Sequence, residues 1–146
     1  MRKPFLRPTS LLLAVSAGIV ALGVAINDGF APSARTVPAL FLTGIGLFGV
    51  ASAVDDRPID ALRLTTGRWW ALAFVAFVPY GLATSPSSEQ AEAVGNAFSG
   101  PVVTIALEAL AGTAVLCAVA VTVLYWFARY GIYPGRPSPE ERVLDD

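Results

Sequence analysis

The residue that most clearly could take part in chemistry is Glu108, a single carboxylate inside the apolar stretch TIALEALAGTAV of residues 104–115. An ionisable residue within a membrane-spanning helix indicates a functional site, either a polar contact between helices or a step in an ion pathway. Counting about six residues inward from the outer helix ends predicts Thr43 and Tyr80 at the depth of Glu108, roughly 9 Å below the membrane boundary. We therefore predict an intramembrane polar layer of Glu108, Thr43 and Tyr80.

Other reactive residue types give no site. The sequence has no histidine, which excludes a histidine base, a histidine metal ligand and histidine-bound haem. The single Cys117 can form neither an internal disulfide nor a CxxC pair. Asp55 and Asp56 are adjacent, but consecutive helical residues point in different directions, and a cation site needs converging oxygens. We predict no catalytic site, no metal site and no cofactor.

The composition is that of a membrane protein. Charged residues make up 14% of the chain and the hydrophobic types 55%, against roughly a quarter charged in soluble domains. The apolar residues fall into four blocks, each near the roughly 17–25 residues that cross a bilayer as a helix. These blocks are residues 11–26, 37–54, 69–84 and 101–127. We predict an all-α integral membrane protein, a bundle of four transmembrane helices within residues 1–133.

The first block has a second interpretation. A basic start followed by a short apolar run is also typical of a secretory signal peptide. The following VAIND and AINDG are poor cleavage sites, so a retained helix is preferred. In the third block, Pro79 lacks a backbone N–H and should bend the helix near its outer end.

The basic residues predict the topology. Nine of the ten lie in the N-terminal segment, in residues 55–68 or after residue 127, and only Arg35 lies elsewhere. By the positive-inside rule both termini are cytoplasmic. Aromatic residues on that side would anchor the membrane interface, namely Trp69, Trp70, Tyr125 and Trp126. The arginines are spread over three segments without stacking aromatics in a groove, so we predict lipid contact and no nucleic-acid site.

The connecting segments are short. Asp56 is the predicted N-cap of a short interfacial helix before residue 69, because Arg57 and Pro58 follow it directly. Outside, Ser87 with Gln90 resembles a capping box that opens a small helix through about residue 97. Residues 134–146 hold three prolines and alternating charges, which predicts a flexible cytoplasmic tail.

Small residues predict where the helices pack. Glycines let helix backbones approach closely, and in membranes this close packing drives association. The first two helices should form a close antiparallel hairpin, and a further glycine follows Glu108 in the fourth helix. The predicted packing positions are Gly18, Gly44, Gly46, Gly49 and Gly112.

Function is weighed between classes. The absence of catalytic residues, the short loops and the glycine faces favour an accessory or scaffold subunit of the cell membrane, which packs on a membrane-protein partner or forms a homo-oligomer. A small proton- or cation-coupled transporter using Glu108 is the alternative. The structural role is preferred, because a proton pathway needs a chain of titratable groups and the rest of the predicted membrane interior offers none. An enzyme acting on lipids comes third.

Overall fold

A computed structural model describes residues 8–27, 29 and 31–131. Over these residues the chain is helical, with short connections. The α-helices of the described part are α1 (Pro8–Ile26), α2 (Thr36–Val54), α3 (Ile59–Thr84), α4 (Glu89–Gly95) and α5 (Pro101–Tyr130), with a 3-10 helix at Asn96–Phe98 between the last two. The N-terminal residues 1–7 and the predicted tail lie outside the described residues.

Among the described residues, three helices are long and apolar enough to cross a membrane, namely α1, α2 and α5. The first two have 19 residues each and α5 has 30. At 1.5 Å per residue α5 is about 45 Å long, so within a hydrocarbon core of about 30 Å it must tilt or protrude. The predicted all-α fold is thus confirmed over the described residues, with three candidate membrane spans. The span over residues 69–84 stays a prediction.

The segment before residue 69 differs from the prediction. No separate interfacial helix forms, because α3 runs without interruption from Ile59 to Thr84. Thr65 Oγ1 donates to the Ala61 carbonyl within this helix at 2.7 Å, and the interior Gly67 costs only about 1 kcal/mol relative to alanine. Nothing between Leu64 and Trp69 therefore stops the helix.

The start of α3 also differs from the prediction. Its N-cap is Pro58, with an extended ψ of 154° and no side-chain cap, rather than Asp56. Asp56 lies instead in the turn after α2, where the Arg57 amide donates to the Val54 carbonyl at 3.1 Å. The turn thus ends before Pro58, and helical geometry can begin only after the extended proline.

The segment between α3 and α5 contains the predicted small helix. Its N-cap is Ser88, one residue later than predicted, and Ser88 Oγ accepts a 3.2 Å hydrogen bond from the Ala91 amide. A β-carbon at Gly95 would collide with the Leu82 carbonyl, so α4 lies directly against the end of α3. Gly100 then adopts φ +145°, a conformation open to glycine, just before α5 begins.

Helix α5 is the centre of the packing. Helix α1 packs mainly on α2 and α3 mainly on α5, while α5 also contacts α1 and α2. The core lies where these helices meet and consists of Val20, Val50, Val54, Leu62, Cys117, Val121 and Ala128. At its end α5 runs three residues beyond the predicted boundary and is capped by Gly131 in the left-handed conformation.

The α1–α2 interface contains glycines without space for a side chain. A β-carbon at Gly46 would lie 2.6 Å from Val20 Cγ2, and one at Gly49 would collide with the Ser16 hydroxyl. Gly23, which was not among the predicted positions, packs equally tightly against Thr43. The two backbones therefore approach closely along this whole face.

Of the other predicted glycines, one lies in a tight helix contact and two do not. A β-carbon at Gly112 would lie 3.0 Å from Val24 Cγ1, so Gly112 packs α5 on α1. At Gly18 and Gly44 it would meet nothing within 4 Å, which corrects the prediction that they line the hairpin. The reason is helical phase: Gly44 is two residues from Gly46, or about 200° around the helix axis.

Candidate functional site

Glu108 lies on the surface of α5, seven residues or about 10 Å along the axis from the start of that helix. Its side chain is exposed, and it has no hydrogen bond or ion pair within the described part of the chain. Val119, eleven residues or three turns further on, lies on the same side of the helix and is 45% exposed. The core residues Cys117 and Val121 lie on the opposite side. Glu108 therefore points away from the other helices.

The structure separates the three residues of the predicted polar layer. Thr43 is half-buried against Gly23 in the α1–α2 interface. Tyr80 makes an edge contact with Phe77 of its own helix, with ring centroids 5.7 Å apart. No hydrogen bond among the described residues joins either of them to Glu108. Counting residues gives the depth of a side chain but not its direction around the helix axis, which decides contact here.

The predicted interface anchors have different surroundings. Trp70 Nε1 donates to Thr122 Oγ1 of α5 at 3.0 Å, and Trp69 is half-buried against the core. Tyr125 accepts a 3.2 Å hydrogen bond from Arg129 Nη1. Trp126 is the most exposed of the four at 56%, and Trp70 is 45% exposed. Trp69 and Trp70 thus also hold α3 against the other helices, whereas the hydrogen bond of Tyr125 stays within α5.

Asp55, Asp56 and Cys117 do not form part of a candidate site in the described structure. Asp55 and Asp56 are exposed, and Cys117 is buried in the core. Within the described residues no three acidic or cysteine side chains converge as metal ligands would.

A crevice between α1 and α3 was not predicted from the sequence. Arg57 Nη1 donates to Thr65 Oγ1 at 3.1 Å, and this pair lies beside Arg68 in a cavity of about 200 Å³. We call it the arginine crevice. Its lining residues are Leu13, Arg57, Thr65, Arg68, Trp69 and Leu72.

The arginine crevice needed three elements to come together. Leu13 comes from α1 and Arg57 from the turn after α2, whereas Thr65 and Arg68 come from α3. The available sequence signal was the eleven-residue spacing of Arg57 and Arg68, which equals three helical turns. Because Arg57 precedes the helix, that spacing alone did not predict their meeting.

Comparisons with protein-family models, with curated proteins and with solved structures give no match. In the described part of the chain, Glu108 on α5 is exposed, and the arginine crevice lies open between α1 and α3.

Proposed function

We propose that this protein is a non-catalytic subunit of a membrane complex, and that a helix of a different membrane chain covers Glu108. The observation that carries the proposal is the exposure of Glu108 on a helix apolar enough to span a membrane. A carboxylate facing hydrocarbon is unfavourable by about 3 kcal/mol even on insertion scales. A polar group on a partner helix removes this penalty.

The partner should present a hydrogen-bond donor or a cation at the depth of Glu108. Polar contacts between transmembrane helices contribute about 0.6 to 2 kcal/mol each. A second copy of this chain packed on the same face would bring two carboxylates together, and these repel each other and can only accept hydrogen bonds. For this reason a different chain fits Glu108 better than a homodimer does.

The proposal includes the topology predicted from the sequence. Helix α3 packs lengthwise on α5, and its apolar part, residues 69–84, is about 24 Å long at 1.5 Å per residue. If α3 crosses the membrane as a fourth span, both termini lie on one side, together with nine of the ten basic residues. That partition is typical of the cytoplasmic face of a cell membrane.

A small proton- or cation-coupled transporter is the second candidate. The same observation favours it, because ionisable residues within spans also mark ion pathways. It requires that Glu108 face a water-filled path, for instance between two copies of the chain. It also requires that the charge of Glu108 change during the cycle.

Co-purification tests the proposal. The tagged chain is extracted from its native membrane in mild detergent as wild type, Glu108→Gln and Glu108→Leu, with Glu92→Leu on α4 as the control. We expect a second membrane protein in fixed ratio with wild type, Glu108→Gln and the control, and its loss with Glu108→Leu. A monomer without a partner would contradict the proposal, and a homodimer with proton transport abolished by Glu108→Gln would establish the transporter instead.

A further inference from the structure

We propose that the arginine crevice binds the phosphate of an anionic phospholipid. The inference uses the membrane placement of the proposed function, with residues 55–68 at the cytoplasmic surface, but does not depend on the partner at Glu108. Arg57 is half-buried and Arg68 is exposed, and both residues line this one cavity.

Charge points to an anion as the occupant. Within the described residues the Arg57 side chain makes one hydrogen bond, to Thr65 Oγ1, although a guanidinium has five N–H donors. Within the described residues no carboxylate pairs with Arg57 or Arg68. A partly desolvated cation without a counterion is unfavourable, and a phosphate accepts the paired N–H groups of arginine in a bidentate geometry.

Other charged groups near the arginine crevice do not neutralise it. Asp56 lines a neighbouring crevice together with Arg57, Thr9 and Ser52, but within the described residues it forms no ion pair with Arg57. Asp60 and Arg63 line a different surface cavity on α3. Of the residues that line the arginine crevice, only Arg68 also lines that cavity. The cavity itself therefore presents two positive charges and a hydroxyl group.

The apolar lining indicates a lipid rather than a free phosphate. Leu13, Trp69 and Leu72 complete the wall, and tryptophan favours the level of the lipid headgroups. A volume of about 200 Å³ is below the roughly 300–1,000 Å³ of pockets that enclose a whole small ligand. It suits a headgroup phosphate with its glycerol, while the acyl chains continue along α1 and α3 into the bilayer.

Native mass spectrometry of the full-length protein in detergent tests the site. Phosphatidylglycerol is titrated against phosphatidylcholine, and glycerol phosphate serves as the probe without acyl chains. We expect one phosphatidylglycerol bound at least tenfold more tightly than phosphatidylcholine, with glycerol phosphate much weaker. Glycerol phosphate binding as tightly as the lipid would overturn the lipid assignment.

Variants locate the binding. Arg57→Gln and Arg68→Gln should each weaken phosphatidylglycerol binding about tenfold. Arg57→Lys should weaken it less, because lysine keeps the positive charge but lacks the paired N–H donors of the guanidinium group. Arg63→Gln is the matched control, because Arg63 does not line the arginine crevice, and this variant should bind the lipid as wild type does. Leu72→Ala keeps every charge and should weaken the lipid only, so it tests the crevice even if Arg57→Gln fails to fold.

Two outcomes would overturn the proposal. One is equal phosphatidylglycerol binding by wild type, Arg57→Gln and Leu72→Ala. The other is lipid binding that appears only after the acidic residues of the C-terminal segment, Glu140, Glu141, Asp145 and Asp146, are changed to their amides, since those residues would then be the natural occupants. If the lipid does not bind while the partner at Glu108 still does, only the lipid proposal fails and the proposed function stands.

Discussion

Trp70 Nε1 and Thr122 Oγ1 form a 3.0 Å hydrogen bond that joins α3 to α5 across 52 residues of sequence. Thr122 in turn donates to the Ala118 carbonyl at 2.6 Å, so its hydroxyl both accepts and donates. The contact satisfies the indole N–H and fixes the rotation of α3 against α5. A residue predicted as a membrane anchor is thereby also a link between helices.

Loss of this link should lower stability. Thr122→Val keeps the shape of the side chain but removes the acceptor of Trp70, and we expect a loss of about 1 kcal/mol in the free energy of unfolding. Thr113→Val is the matched control, because Thr113 Oγ1 is buried without a hydrogen-bond partner in the described structure. It should leave stability unchanged or raise it. Equal losses for both variants, in thermal unfolding in detergent, would contradict this account.

Leucine at the tight glycines should force α1 and α2 apart. Gly46→Leu and Gly49→Leu introduce side chains where Val20 and Ser16 leave no room, and overpacking typically destabilises by about 1–3 kcal/mol or more. Gly44→Leu on the same helix is the control, since nothing lies within 4 Å of its β-carbon position. A melting temperature lowered as much by Gly44→Leu as by Gly46→Leu would refute this assignment of faces.

The continuity of α3 can be tested at Gly67. A β-carbon there would meet nothing within 4 Å, so Gly67→Ala should raise the free energy of unfolding by about 0.5–1 kcal/mol through helix propensity alone. Gly67→Pro should break the helix and lower stability by about 3 kcal/mol or more. If residues 59–84 instead formed two helices with a turn at Gly67, alanine would give no gain.

The sequence predicted most of the helices, but not the early start of α3, and it did not predict which faces meet. The long apolar run that begins at Pro101, directly after Gly100, predicted α5 closely, because a single helix requires only local information. The face of Gly18 and the direction of Glu108 depend on rotation about a helix axis, which hydropathy does not encode. The arginine crevice required α1, α3 and the turn after α2 to meet, and no local pattern describes such a meeting.

Cysteine labelling in intact cells tests the topology. In a Cys117→Ala background, Ser88→Cys should react with an impermeant reagent from outside and Ser138→Cys should not, because four spans place both termini inside. If α3 did not cross, the C-terminus would lie outside and the pattern would reverse. Both positions are also labelled after the membranes are permeabilised, as a control that each cysteine can react.

Photo-crosslinking beside Glu108 tests the central claim most directly. A photoreactive residue at Ile105, one turn from Glu108 on the exposed side of α5, is compared in native membranes with one at Phe41, on the exposed face of α2. We predict one discrete protein adduct from position 105, unchanged by Glu108→Gln, lost with Glu108→Leu and absent from position 41. Adducts to lipid alone at position 105 would contradict the claim that a partner chain covers Glu108.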